Sequence, residues 1–267
     1  MREPSIMPYA EPFFFRGDET GCLCLHGLNA SPDEMRWYGQ HLAETGRTVY
    51  GVRLPGHGLR DHRAIQRTRW QDWYHAALDG YHVLRGQCER VVVCGHSMGG
   101  LLALLLGAWH DASALVVMAS PLTLPNEGAM SRARWIKYAR PYLNGADGSH
   151  LPDHIRAEQA RRGEPVRGRV RYDIWTAQSI ENLYELMRVT RRVLTAVHAP
   201  VLTLYSTADP TVPINNQRLL ANRLLNARVQ SHTYAHSGHI LPQDIDAGQV
   251  MADSAEFITR LIASADA

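Results

Sequence analysis

The sequence predicts an α/β fold with a mostly parallel sheet, interrupted by one inserted helical segment. Between residues 21 and 119, short apolar runs typical of buried strands alternate with longer runs typical of helices. The same alternation returns over residues 199–263. Between them, residues 122–198 are rich in arginine and contain no strand-like run. We therefore expect a doubly wound core formed by residues 1–121 and 199–267, with 122–198 as an inserted cap.

The elements of the first core segment have recognisable starts and ends. Ser31, Pro32 and Glu34 form the pattern of a helix start, with Ser31 as N-cap and Pro32 at the first helical position. Gly46 is expected to end that helix. We predict strands at 21–25, 48–54, 91–94 and 114–119, and helices at 32–45, 70–87 and 98–110.

The second core segment repeats the same pattern. We predict strands at 201–205 and 229–234, and helices at 215–226 and 247–263. Residues 122–198 are expected to form short helices and loops. In open α/β sheets the ligand site lies at the carboxyl ends of the strands, so a cap inserted after the strand at 114–119 would cover that site.

Composition excludes several classes of protein. The 267 residues are 45% hydrophobic and 20% charged, which is not the composition of a disordered chain. A net charge of +2 gives no indication of a nucleic-acid partner. Lys137 is the only lysine among 28 basic residues, a bias that indicates GC-rich codons and a bacterial source.

Cysteine spacing and apolar runs predict the compartment. The four cysteines form neither a CxxC pair nor a metal-ligand pattern, so we expect buried, reduced thiols. The N-terminus has no apolar run of signal-peptide length, and the longest apolar run, 98–109, is too short to cross a bilayer. We therefore expect a cytoplasmic protein without stable membrane insertion.

The strongest chemical signal is the motif Gly-His-Ser-Met-Gly-Gly at residues 95–100. It directly follows a predicted strand and opens an apolar helix, which is the context of a nucleophilic serine on a sharp strand-to-helix turn. The alternative is a serine that caps an ordinary helix. The context favours Ser97 as a nucleophile, with the helix N-terminus adding positive potential near a developing oxyanion.

A nucleophilic serine needs a base and an acid that orients the base. Asp209 follows the strand at 201–205, and His239 follows the strand at 229–234, so both are expected at the same sheet edge as Ser97. His236 is the alternative base. The alternative acids are Asp173, Asp244 and Asp246.

Two backbone N–H groups are expected to bind the oxyanion. One belongs to Met98, the residue after the nucleophile. The other belongs to Leu28, in the loop after the first parallel strand, where Gly27 lets the chain bend. His26, His57 and His96 are also expected near the site, in packing or supporting roles rather than in proton transfer.

Over essentially its whole length the chain resembles the α/β-hydrolase superfamily. Within it, the chain is similar to small bacterial carboxylesterases and monoacylglycerol lipases with a helical cap. The resemblance is carried by the following segments: Leu-His-Gly-Leu at 25–28, Pro-Gly-His-Gly at 55–58, the serine motif at 95–100, Ala-Pro-Val-Leu at 199–202, Asp209, and Ser-Gly-His at 237–239. It implies a triad of Ser97, Asp209 and His239, with oxyanion amides at Leu28 and Met98. Those enzymes often have Phe at the first oxyanion position, where this chain has Leu28.

These observations predict a serine carboxylesterase that hydrolyses short- to medium-chain acyl esters, including monoacylglycerols, without a metal or organic cofactor. The partner is then a small-molecule acyl ester. The alternatives are another reaction on the same scaffold (C–C bond, thioester or lactone hydrolysis, or acyl transfer) and, from another class, a non-catalytic ligand receptor. The sequence does not indicate an oligomeric state.

Residues of the predicted cap give weaker indications. Trp135, Tyr138 and Trp175 are candidates for an acyl-binding pocket, although they could equally pack the cap onto the core. The arginines between residues 156 and 171 are expected to form a solvated face.

Overall fold

A β-sheet forms the centre of the molecule. The computed structural model describes residues 5–144 and 151–265. Its strands are β1 (Phe13–Phe15), β2 (Thr20–Leu25), β3 (Thr48–Val52), β4 (Arg90–His96), β5 (Ala114–Met118), β6 (Tyr142–Asn144), β7 (Ile174–Thr176), β8 (Val201–Ser206) and β9 (Val229–Tyr234). The main sheet has the order β1-β3-β2-β4-β5-β8-β9, and every neighbouring pair except β1 and β3 is parallel. The predicted α/β class with a mostly parallel sheet is confirmed.

Helices cover both faces of this sheet. The helices of the described residues are α1 (Asp33–Glu44), α2 (Trp70–Arg85), α3 (Met98–Trp109), α4 (Glu127–Met130), α5 (Ala133–Ile136), α6 (Asp153–Arg161), α7 (Ala177–Val193), α8 (Asn215–Arg223) and α9 (Ala247–Ala265). Along β4, Val91 and Val93 pack with α2 and α3, whereas Val92 and Cys94 pack with α1 and α9. Because successive side chains of a strand face opposite sides, the central strands are apolar at nearly every position.

The predicted elements of the two core segments are present, with ends shifted by a few residues. The sequence does not predict β1, a three-residue strand at the sheet edge that pairs antiparallel with β3.

The four cysteines are free and buried, as predicted. Among the described residues, no helix is long and apolar enough to cross a membrane.

The predicted N-cap at the start of α1 is wrong. Ser31 Oγ donates to the backbone carbonyl of Val170 at 2.8 Å, and α1 begins after Pro32 without a side-chain cap. Glu34 does not reach back to the N-cap. Its carboxylate accepts from the backbone N–H of Gly27 at 2.7 Å. Tertiary contacts therefore occupy both side chains that the local pattern assigns to the helix start.

Residues 122–198 contain more regular structure than predicted. Strands β6 and β7 form a small antiparallel pair, and α7 is a 17-residue helix. Leu183, Leu186 and Met187 of α7 pack into the core beside α3. Their spacing is typical of an amphipathic helix, so the sequence does contain the signal for α7.

The arginines between residues 156 and 171 are only in part a solvated face. The Arg161 side chain is 69% exposed, as predicted. Arg167, by contrast, is 14% exposed and donates to Asp33 of α1 at 2.7 Å and to Glu164 at 2.9 Å. Arg167 therefore ties residues 122–198 to the sheet-covering helix α1.

Candidate active site

Ser97 lies on a strained turn between β4 and α3. Its φ of +53° and ψ of −118° fall in a region that residues with a side chain rarely adopt. The turn is possible because a Cβ at Gly95 would collide with the backbone of Gly99, and one at Gly99 would collide with the backbone of Leu25. Glycine at both positions lets α3 leave the strand sharply. The Ser97 side chain remains partly exposed at this edge of the sheet.

The structure brings Ser97, His239 and Asp209 into one hydrogen-bonded chain. His239 Nε2 is 3.0 Å from Ser97 Oγ, and His239 Nδ1 is 2.8 Å from Asp209 Oδ2. The alternative base, His236, is largely exposed and bonds Asp246 instead. The alternative acids are placed elsewhere: Asp173 is exposed, and Asp244 pairs with His154.

The surroundings of Asp209 keep its carboxylate ionised. Burial alone would raise its pKa, but the hydrogen bond and charge of His239, with the backbone N–H groups of Val212 and Thr211, hold the pKa below its ordinary value. An ionised carboxylate can only accept, so His239 Nδ1 donates to it. In the neutral imidazole, Nε2 then carries the lone pair that faces the Ser97 hydroxyl.

Both predicted oxyanion residues lie beside Ser97. Met98 is the first residue of α3, so its N–H belongs to the unpaired N-terminal turn of that helix. Leu28 follows Gly27 in the loop after β2, the strand next to β4. A Cβ built on Gly27 would lie 3.4 Å from the Cβ of Ser97, which places this loop against the serine.

His96 and Glu34 make contacts that the sequence does not predict. His96, at the end of β4, bonds the Glu34 carboxylate through Nδ1 at 2.8 Å and the backbone carbonyl of His239 through Nε2 at 2.8 Å. From the sequence, Glu34 is expected to belong to the start of a helix, and nothing in the local pattern links it to His96. The expected supporting role of His96 agrees with these contacts.

His26 supports the same loop in a neutral form. Its Nδ1 bonds the carbonyl of Gly27 at 2.8 Å, and its Nε2 accepts from the N–H of Leu54 at 3.2 Å. Burial lowers the pKa of His26 to about 4, against an ordinary value of 6.5. One neutral ring therefore joins the ends of β2 and β3.

The predicted acyl-pocket residues are less enclosed than the triad. Trp135 is 67% exposed and Tyr138 is 81% exposed, while Trp175 is half-buried. Such exposure does not favour Trp135 or Tyr138 as walls of a closed pocket.

Among residues 5–144 and 151–265, no group of three or more His, Cys, Asp or Glu side chains is arranged to hold a metal ion.

Comparison with known proteins gives consistent matches. Residues 19–246 match the family Hydrolase_4, described as serine aminopeptidase, S33. A carboxylesterase of Bacillus subtilis (strain 168) is 25% identical over 252 residues, which is 94% of this chain and 97% of the relative. A thermostable monoacylglycerol lipase of Bacillus sp. (strain H-257) is 26% identical over 256 residues, 96% of each chain.

Solved structures show the same fold. A structure reported for LipS and LipT, two metagenome-derived lipolytic enzymes, superposes with a TM-score of 0.85 at 24% identity, covering 96% of this chain and 100% of that one. At this identity the likeness establishes the arrangement of strands and helices. It places the present chain among α/β-hydrolase folds.

Proposed function

The chain belongs to the Hydrolase_4 family, and on this premise we propose that it is a serine carboxylesterase acting on short- to medium-chain acyl esters, including monoacylglycerols. Two named ester hydrolases match it along nearly its whole length, which supports the class of carboxylic ester hydrolase. The observation that carries the mechanism is the pair of distances, 3.0 Å and 2.8 Å, that join Ser97, His239 and Asp209.

In the first half of the reaction, Ser97 Oγ attacks the ester carbonyl while His239 Nε2 takes the hydroxyl proton. Asp209 holds the His239 ring in the required tautomer and stabilises the imidazolium that forms. The N–H groups of Leu28 and Met98 bind the oxyanion, and each such donor typically lowers the barrier by about 3 kcal/mol. The tetrahedral intermediate then collapses, the C–O bond to the alcohol breaks, and His239 returns the proton to the departing alcohol oxygen.

In the second half, water replaces the alcohol. His239 takes a proton from the water as its oxygen attacks the acyl-enzyme carbonyl, and the collapse of this intermediate returns the proton to Ser97 Oγ. The carboxylic acid leaves and the enzyme is restored. Every proton removed in one step is given back in the next, so no further reactant besides water is needed.

We also propose that residues 122–198 act as a cap over this site. The contacts of Arg167 with Asp33, and of Ser31 with Val170, hold this segment against the start of α1 and the loop after Leu28. Acyl-chain selection would then depend on the cap. A cytoplasmic location and a bacterial source stay predictions of the sequence.

Hydrolysis of a p-nitrophenyl ester series by the wild type and Ser97→Ala tests the proposal. We expect turnover that peaks at short or medium acyl chains and is lost in Ser97→Ala, because alanine keeps the fold and removes the nucleophile. Ser254→Ala is the matched control, since this buried serine of α9 donates to Val250 of its own helix and makes no contact with Ser97, His239 or Asp209 among its hydrogen bonds, and it should keep full activity.

Two other outcomes would change the conclusion. Equal turnover by Ser97→Ala would rule out Ser97 as the nucleophile. The family description names a peptidase, so aminoacyl p-nitroanilides belong in the same panel. Serine-dependent release of p-nitroaniline without ester hydrolysis would assign the site to amide bonds instead.

A further inference from the structure

We propose that His96 and Glu34 form a buried ion pair that holds the His239 main chain and the Gly27–Leu28 loop in register with Ser97. His96 is then a positioning residue for the reaction, acting through His239 and the loop rather than on the substrate. The proposal about catalysis rests on the proposed function. The charge state of the pair does not rest on the proposed function. The ion pair and its catalytic effect can therefore be tested separately.

Three parts of the site meet at this pair. His96 directly precedes Ser97, and its Nε2 bonds the backbone oxygen of His239 at 2.8 Å. Its Nδ1 bonds Glu34 Oε1 at 2.8 Å, and the same oxygen accepts from the N–H of Gly27 at 2.7 Å. The base, the nucleophile turn and the oxyanion loop are thus connected through two side chains. The His96 side chain is 1% exposed and that of Glu34 is 10% exposed.

The partners of His96 determine its protonation. A backbone carbonyl can only accept, so Nε2 must carry a hydrogen. Glu34 Oε1 already accepts from Gly27, an arrangement that favours the ionised carboxylate, so Nδ1 must carry a hydrogen as well. A ring with both nitrogens protonated is an imidazolium. Neutral His96 could satisfy the carbonyl of His239 or the carboxylate of Glu34, but not both.

The electrostatic surroundings agree with an ion pair. Burial alone would raise the pKa of Glu34, but the charge and hydrogen bond of His96 and the N–H of Gly27 hold that pKa at about 2. Burial alone would lower the pKa of His96, but Glu34 and the carbonyl of His239 raise it above its ordinary value.

The other groups that face the pair do not reverse this balance. His26 is neutral, because burial lowers its pKa to about 4. Asp209 adds a negative charge that favours protonated His96, and Arg169 adds a positive charge that favours ionised Glu34. The ring of His239 lies 5.0 Å from that of His96, measured between centroids.

The pair contributes to rate through geometry. The His239 ring reaches Ser97 only if its main chain is held in place, and His96 is the side chain that bonds its carbonyl. Displacement of a catalytic group by about 1 Å typically costs about 100-fold in rate. Substrate binding does not use the pair, so its loss should lower kcat and leave KM nearly unchanged.

The first test measures the charge of His96 without using activity. ¹⁵N spectra of histidine-labelled wild type, compared with His96→Gln to assign the signal among the 14 histidines, should show the His96 ring doubly protonated at pH 7. Glu34→Gln should lose that signal. Glu34→Asp, which keeps the negative charge, should retain it. A neutral His96 in the wild type at pH 7 would overturn the ion pair, whatever the enzyme hydrolyses.

The second test measures the catalytic effect. Glu34→Gln should lower kcat for the best ester by about 10- to 100-fold with little change in KM, and Glu34→Asp should recover part of that loss. Asp253→Asn is the matched control: it also breaks a bond from a histidine Nδ1 (His232, 2.9 Å) to a nearly buried carboxylate, but on β9 and α9. It should keep the wild-type kcat. A wild-type kcat in Glu34→Gln would overturn the positioning role.

Discussion

At Asp209, one carboxylate oxygen bonds His239 and the other accepts two backbone N–H groups. All of these bonds require an acceptor at residue 209. The NH₂ group of an asparagine there would face either His239 Nδ1 or the two backbone N–H groups, and it can only donate. An Asn side chain that donates to Nδ1 would force the hydrogen onto Nε2, which is the wrong tautomer for a base.

We therefore expect Asp209→Asn to lower kcat for ester hydrolysis by about 10⁴-fold while the fold is retained, an effect of the size seen when a triad aspartate is replaced in this way. Steady-state kinetics with circular dichroism as the folding check would measure it. Asp246→Asn, at the carboxylate that pairs with the exposed His236, is the comparison and should have a much smaller effect. If Asp246→Asn were the more damaging variant, the acid would be wrongly assigned.

The sequence predicts that Ser97, His239 and Asp209 lie together because each follows a strand, and parallel strands end at one edge of a sheet. Glu34 could not be assigned in this way. It is 62 residues from His96 in sequence, and a glutamate in the first turn of a helix is equally expected from the helix dipole alone. Only the packing of α1 against β4 and the loop after β2 shows that its carboxylate faces the site.

At the scale of elements, α1 carries one of the contacts that hold residues 122–198 in place. Asp33 is nearly buried, and burial raises its pKa despite the adjacent guanidinium of Arg167. Arg167 also lies 4.0 Å above the ring centre of Tyr9. Its removal would leave a buried carboxylate without its charged partner.

Arg167→Ala should lower the free energy of unfolding by about 3 kcal/mol, in the range found when one partner of a buried ion pair is removed. Urea unfolding would measure the loss, and the double variant with Asp33→Asn should recover part of it. Arg161→Ala removes an arginine that is 69% exposed and pairs with Glu158 at the surface, so its effect on the free energy of unfolding should be much smaller. Equal losses for the two arginines would contradict the assigned role of Arg167.

The long elements of the two core segments were predicted, whereas the three-residue strands were not. The central strands are buried on both faces and therefore apolar throughout, which leaves a clear pattern. Strands β1, β6 and β7 have three residues each, too few for an alternating pattern to be recognised. Each forms because a partner strand lies beside it in the fold. The sequence of a three-residue segment does not indicate which strand that is.

At the scale of the whole molecule, buried titratable groups tie stability to pH, and His26 and Glu34 are two of them. The folded pKa of His26 is about 4 against an ordinary 6.5, and that of Glu34 is about 2 against 4.5. Both are lowered, so the unfolded chain binds protons at a higher pH than the folded one. Their contributions are present above the ordinary pKa and are lost as pH falls, first between 6.5 and 4 for His26, then between 4.5 and 2 for Glu34.

We therefore expect Tm to fall as pH is lowered from 7 to 4, with a contribution from His26 of up to about 3 kcal/mol. Calorimetry across this range would measure it. His26→Asn should be less stable than the wild type at pH 7, because it loses the ring that joins β2 to β3, but its Tm should decline less steeply below pH 6.5. A decline as steep as that of the wild type would show that other groups cause the pH dependence.

The sheet order has a consequence for how such proteins can diversify. Strands β5 and β8 are hydrogen-bonded neighbours, although residues 119–200 separate them in the chain. The entropy of closing a loop grows only with the logarithm of its length, so doubling this excursion would cost about 0.6 kcal/mol. Insertions between these two strands therefore cost little chain entropy, provided that the core contacts of α7 are kept. Evolution, or a protein engineer, could lengthen this stretch while the strand ends that carry Ser97, Asp209 and His239 stay in place.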